Sequence, residues 1–141
     1  MKEIRLQIPA HADYIDVVRL CLYGVATKSG FSYEEIEDMK VAVSEACNNA
    51  VLHGSSVGTD NSIDICFQPE ESNLTIRVKN KGPTFEYTEV LEKAAPLGAA
   101  DISELPVGGL GIYLMQALMD EVSVETIDQW TEVILTKNKT A

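Results

Sequence analysis

Apolar and polar residues alternate at the start of the chain, with Ile4, Leu6 and Ile8 separated by Arg5 and Gln7 and followed by Pro9. A period of two predicts a half-buried strand that ends at the proline, which has no N–H to give to a ladder. From Asp13 to Lys28 the spacing becomes helical. Val17, Leu20, Cys21, Gly24 and Val25 are read as its core stripe, and Gly30 is placed to stop it. Ser32 and Glu35 then form a capping box, flanked by Phe31 and Ile36 as a hydrophobic staple. The helix that follows is predicted to run to about His53, with Gly54 as its stop and Ile36, Met39, Val43, Cys47 and Ala50 as its core stripe. Glu34, Glu35, Glu37 and Asp38 fall in its first turns, where the dipole favours solvated carboxylates.

Residues 55–60 read as a loop. Ile63, Ile65 and Phe67 alternate, as do Leu74, Ile76 and Val78, and the turn from Pro69 to Asn73 makes these two strands a hairpin. Residues 82–107 break every period and hold Pro83, Pro96 and Pro106, which predicts a functional lid. Gly108-Gly109-Leu110-Gly111 opens a last helix through Met119, and strands around Val122–Val124 and Val133–Leu135 close the pattern. The elements predict one domain over residues 1–141. Its fold class is α/β in the broad sense, an α+β two-layer sandwich with a mostly antiparallel mixed sheet covered on one face by about three helices.

The 141 residues suit a single compact domain, and 45% are hydrophobic, enough for a real core. No apolar run approaches a membrane span, and the charged start Met1-Lys2-Glu3-Ile4-Arg5 predicts no signal peptide. Three cysteines with no CxxC pair fit reduced thiols in the cytoplasm. The formal charge is −11, which argues against nucleic acid or an anionic membrane as partner and would attract a basic protein surface. Solubility alone explains the charge equally well.

Two features break local rules. Glu45, Asn49 and His53 are four apart and line one stripe beside the core of the second helix. Adjacent asparagines at 48 and 49 are poor helix formers, each costing up to roughly 0.7 kcal/mol against alanine. A carboxylate one turn from an amide offers oxygen ligands to a hard cation or a water, although a solvated helix edge would have the same pattern. The glycines at 108, 109 and 111 would let a backbone close on a phosphate at a helix start. An ordinary flexible loop remains the other reading. The histidines and cysteines are too scattered to argue for zinc.

Taken together, Ser44-Glu45-Ala46 with Asn49-Ala50-Val51, the turn Asn80-Lys81-Gly82, and Gly108-Gly109-Leu110-Gly111-Ile112-Tyr113-Leu114-Met115 resemble the GHKL ATPase superfamily. Within it the chain resembles the RsbW-type bacterial anti-sigma factor/serine-protein kinases over nearly its whole length. The resemblance implies ATP/ADP and Mg²⁺ as ligands. Glu45 is implied as the residue that orients or deprotonates the attacking hydroxyl, and Asn49 as the Mg²⁺ ligand. Asn80 and Gly82 are implied at the adenine turn, Gly108, Gly109, Leu110 and Gly111 around the phosphates, and Thr131 as support for the adenine end. Arg19 is implied as a contact for protein partners. Such proteins are homodimers that sequester a stress-type sigma factor and phosphorylate a serine of an anti-anti-sigma protein. Where the family carries aspartate, this chain has Asn80. Its amide still offers an acceptor to the adenine amino group, at a loss of roughly 1 kcal/mol of charge assistance. That substitution keeps open a second reading, a partner-switch binding module without catalysis.

Overall fold

The structure is a computed structural model, and it describes residues 2–53, 61–81 and 109–140. Strand β1 spans Ile4–Pro9, and a 3₁₀ turn at Ala12–Tyr14 leads into helix α1, Ile15–Lys28. Helix α2 spans Tyr33–His53, β2 Ser62–Pro69 and β3 Asn73–Lys81. Helix α3 spans Gly109–Leu118, β4 Glu121–Ile127 and β5 Trp130–Asn138. The five strands form one sheet in the order β1-β2-β3-β5-β4, and every described pair is antiparallel.

Strand alternation decides what the sheet buries. Ile63, Ile65 and Phe67 of β2, Leu74, Ile76 and Val78 of β3, and Val133 and Leu135 of β5 are all buried on one side. Helix α2 lies over β3 and β5, α1 over β2, and α3 packs on α2 and β4. The other side is an open polar surface. There Gln7 donates to Asp64 at 2.7 Å, and Arg77 donates to Glu132 at 3.0 Å and to Gln68 at 3.2 Å. These groups line a shallow concavity of about 660 Å³.

The capping box of α2 is formed. Ser32 N donates to Glu35 at 2.8 Å and Glu35 N donates to Ser32 Oγ at 3.2 Å. Phe31 and Ile36 are both buried beside it, and so is the whole stripe from Ile36 to Ala50. Glu35, however, is not a solvated first-turn carboxylate. It is buried, and its second oxygen accepts from the backbone N–H of Thr140 at 3.0 Å. Burial by itself would raise this carboxyl, but the hydrogen bonds from Ser32 and Thr140 outweigh it and hold it below its ordinary value.

The core stripe of α1 differs from the expectation. Ile15, Val18, Leu22, Val25 and Ala26 face inward. Of the expected stripe only Val25 is buried, while Val17 is 44% and Leu20 72% exposed. Helix α1 is apolar on two faces, and helical periodicity fits both. The inward face is the one that meets β2 and α2. Gly30 does end the segment, with φ +90°, a left-handed conformation that glycine adopts without strain. The expected loop at 55–60, the Gly54 stop and the lid at 82–107 lie outside the described residues.

Candidate functional site

Helix α2 sets the site because its seam is not uniformly apolar. The buried stripe fixes its rotation against the sheet, and that rotation turns Glu45 and Asn49 toward the first turn of α3. Glu45 is half-buried, and Asn49 is only 5% exposed. At Gly111 the approach is close. A Cβ there would lie 2.9 Å from Glu45 Oε2 and 3.6 Å from Asn49 Nδ2. A methyl at this position would push the flexible Glu45 carboxylate aside, so the glycine lets that carboxylate rest against the α3 backbone.

Two buried polar atoms on this side of the molecule have no hydrogen-bond partner: Asn49 Nδ2 and Thr131 Oγ1. Native folds pair nearly all such atoms, so each orphan marks a place where a ligand can complete the set. Thr131 is 3% exposed and sits opposite Asn80 in the β3–β5 ladder. By alternation Asn80 shares the helix-facing side with buried Val78, whereas Lys79 and Lys81 project to the opposite face. Lys79 lies 5.0 Å from the ring centroid of Trp130 there, so the lysines beside Asn80 do not crowd the inner face.

The site therefore gathers Glu45, Asn49 and Gly111 at one place and Asn80 with Thr131 at the end of two adjacent strands. Gly109 and Leu110 belong to the first turn of α3, with Leu110 exposed. Gly82, Gly108 and the His53 side chain lie outside what is described. Arg19 is away from this cluster, on α1. Its Nε donates to Ser44 Oγ at 2.7 Å, its guanidinium is paired with Asp16, and Ser44 Oγ donates to the carbonyl of Lys40 at 2.6 Å. The sequence pattern contained Ser44 but gave no hint that it ties α1 to α2.

The donors present suit a phosphate and a hard divalent ion. Helix starts offer free N–H groups and a positive dipole end to phosphate. A half-turn of the Asn49 amide would offer its Oδ1 to Mg²⁺, which keeps most of its waters and needs few protein ligands. Among the described residues no three His, Cys, Asp or Glu side chains converge on a metal position.

Comparison with known proteins places the chain in a family and agrees with this fold. Residues 8–137 match the family described as the histidine kinase-like ATPase domain. The chain is 46% identical over 125 residues to the serine-protein kinase RsbW of Bacillus pumilus, covering 86% of this chain and 77% of that one. To the serine-protein kinase RsbW of Bacillus subtilis it is 40% identical over 123 residues, with the same coverage. The crystal structure of the RsbU and RsbW domains of a Mycobacterium tuberculosis protein superposes with a TM-score of 0.70 at 19% identity, over 99% of this chain and 33% of that one. That likeness is one of fold.

Proposed function

The chain belongs to the histidine kinase-like ATPase family, among the RsbW-type serine-protein kinases, and from that premise we propose that it is an anti-sigma factor working by partner switching. It sequesters a stress-type sigma factor and phosphorylates a serine of an anti-anti-sigma protein with Mg-ATP. The observation that carries this reading is the contact of Glu45 and Asn49 with the glycine-built start of α3, with a buried amide nitrogen left unpaired between them.

The chemistry follows from the groups present. The serine Oγ forms a bond to the γ-phosphorus as the bond from that phosphorus to the bridging oxygen breaks, and ADP leaves. Glu45 accepts the hydroxyl proton, a role worth roughly 10²–10⁴ in rate. Asn49 holds the metal side of the phosphates, and the backbone at Gly111 approaches them without obstruction. Mg²⁺, when bound, neutralises the phosphate oxygens. Asn80 and Thr131 receive the base.

Partner contacts are assigned to α1. Val17, Leu20 and Tyr23 are exposed along it, and Arg19 stands among them, held in a fixed pose by Ser44 and Asp16. An exposed apolar stripe around an ordered arginine is the composition of an interaction surface. The active species is a homodimer. No described helix is long and apolar enough to cross a membrane, and the three free thiols suit the cytoplasm.

The test is transfer of labelled phosphate from ATP to a purified anti-anti-sigma protein. Wild type yields phosphoserine. Glu45→Gln binds nucleotide as tightly as wild type but loses at least about 100-fold in transfer rate. A variant that transfers at the wild-type rate would remove Glu45 from the chemistry. Asn80 favours the second reading, a binding module without catalysis, and absence of phosphoserine from wild type would select it.

A further inference from the structure

At the ends of β3 and β5 two polar side chains interrupt an apolar wall. Asn80 and Thr131 are opposite each other across the strands, on the side that carries buried Val78 and Val133. Asn80 is half-buried. The Thr131 hydroxyl is enclosed and without a hydrogen-bond partner, an uncommon state that a bound base would relieve. Neither position carries a charge, and the neighbouring Lys79 and Lys81 face away.

We propose that Asn80 and Thr131 form a base-reading pair that does not distinguish 6-aminopurines from 6-oxopurines, so that this chain binds hypoxanthine and guanine nucleotides comparably with adenine nucleotides. The inference rests on the nucleotide site proposed above and adds which bases that site accepts.

The chemistry is one of donors and acceptors. Adenine offers a donor at its 6-amino group and an acceptor at N1. Hypoxanthine and guanine offer the reverse, an acceptor at O6 and a donor at N1. A carboxylate at position 80 accepts only. It satisfies the first pattern and opposes lone pairs to O6 in the second. The Asn80 amide carries both functions, and a half-turn of its terminal torsion exchanges them. The Thr131 hydroxyl also donates or accepts as its proton rotates. Both positions can thus invert in step with the base. Strong discrimination arises when the wrong ligand leaves a buried polar group unpaired, and here neither purine does so.

Titration calorimetry with ADP, GDP and IDP in the presence of Mg²⁺, on the full chain, tests this. IDP isolates the 6-position, because it lacks the 2-amino group of GDP. For wild type the ADP and IDP affinities are expected to lie within about threefold of each other, and Asn80→Asp to raise the ADP preference at least about tenfold further, since a carboxylate cannot serve O6. A wild-type preference for ADP above that limit, or a ratio left unmoved by Asn80→Asp, overturns the inference while leaving the nucleotide site in place. If none of the three binds, the site itself falls and the base tolerance falls with it.

Discussion

At Gly111 the absence of a methyl group sets how closely α3 approaches α2. A Cβ there would press on Glu45 Oε2 at 2.9 Å, and the carboxylate would have to move. Alanine is a better helix former than glycine by about 1 kcal/mol, so Gly111→Ala should melt within a few degrees of wild type. Its phosphotransfer should fall at least about tenfold, because misplacing a reacting group by an ångström is expensive. A melting curve with a phosphoserine assay reads both, and undiminished transfer would show that this close approach is not needed. At this scale the convergence of Glu45, Asn49 and Gly111 into a candidate site was legible beforehand. Glu45 and Asn49 announced themselves as polar residues in a good helix, and the glycines as a cluster at a helix start. The buried state of Glu35 was not legible, because its partner Thr140 lies 105 positions away in sequence. Its lowered carboxyl contributes stability at neutral pH that is present above the ordinary value of 4.5 and lost as pH falls through the lower folded value. Glu35→Gln should therefore be less stable than wild type at pH 7 by roughly 1–2 kcal/mol. The gap should narrow in urea titrations as the pH falls from 4.5 through the lower folded value, because only past that point is the native carboxyl protonated. An equal gap at every pH would assign the loss to packing instead.

Helix α1 is the element with two apolar faces, one buried and one exposed. Its apolar residues fall at two phases of the same period, so the sequence alone gave one stripe, and it was the outer one. What breaks the tie is tertiary. Leu22 is fully buried against its neighbours, whereas Leu20, two residues earlier, is 72% exposed. Leu22→Ala should cost about 2–5 kcal/mol in urea unfolding. Leu20→Lys should change stability by less than about 0.5 kcal/mol yet weaken capture of the sigma factor or its competitor by at least about tenfold, as a charge placed in an apolar contact does. Binding unaffected by Leu20→Lys would move the partner surface elsewhere. The other elements were readable because each had only one plausible phase: alternation in β2, β3 and β5, and a single broad stripe in α2.

For the molecule as a whole, the sheet order β1-β2-β3-β5-β4 follows from two hairpins and a return across the middle, which no local pattern specifies. The two-layer class was readable, since strands polar on alternate positions need helices on one side only. The charge of −11 belongs to this scale too. Association with a basic partner should slow at least about tenfold between 50 and 500 mM salt in stopped-flow measurements, because the steering field is screened within about 10 Å at 0.1 M. A rate insensitive to salt would leave the charge to solubility alone.

The three thiols happen to be distributed one to each region of the molecule. Cys47 is sealed beneath α2, and burial pushes its thiol up to about 12, so it is inert until the chain unfolds. Cys21 lies half-buried beside the outer stripe of α1, and Cys66 half-buried on the open side of the sheet. The native chain should thus take alkylating label at two places on opposite surfaces, slowly, because burial raises both of these thiols as well. Loss of one adduct or the other on mixing with a binding protein reports by mass spectrometry which surface has been covered, without an engineered probe.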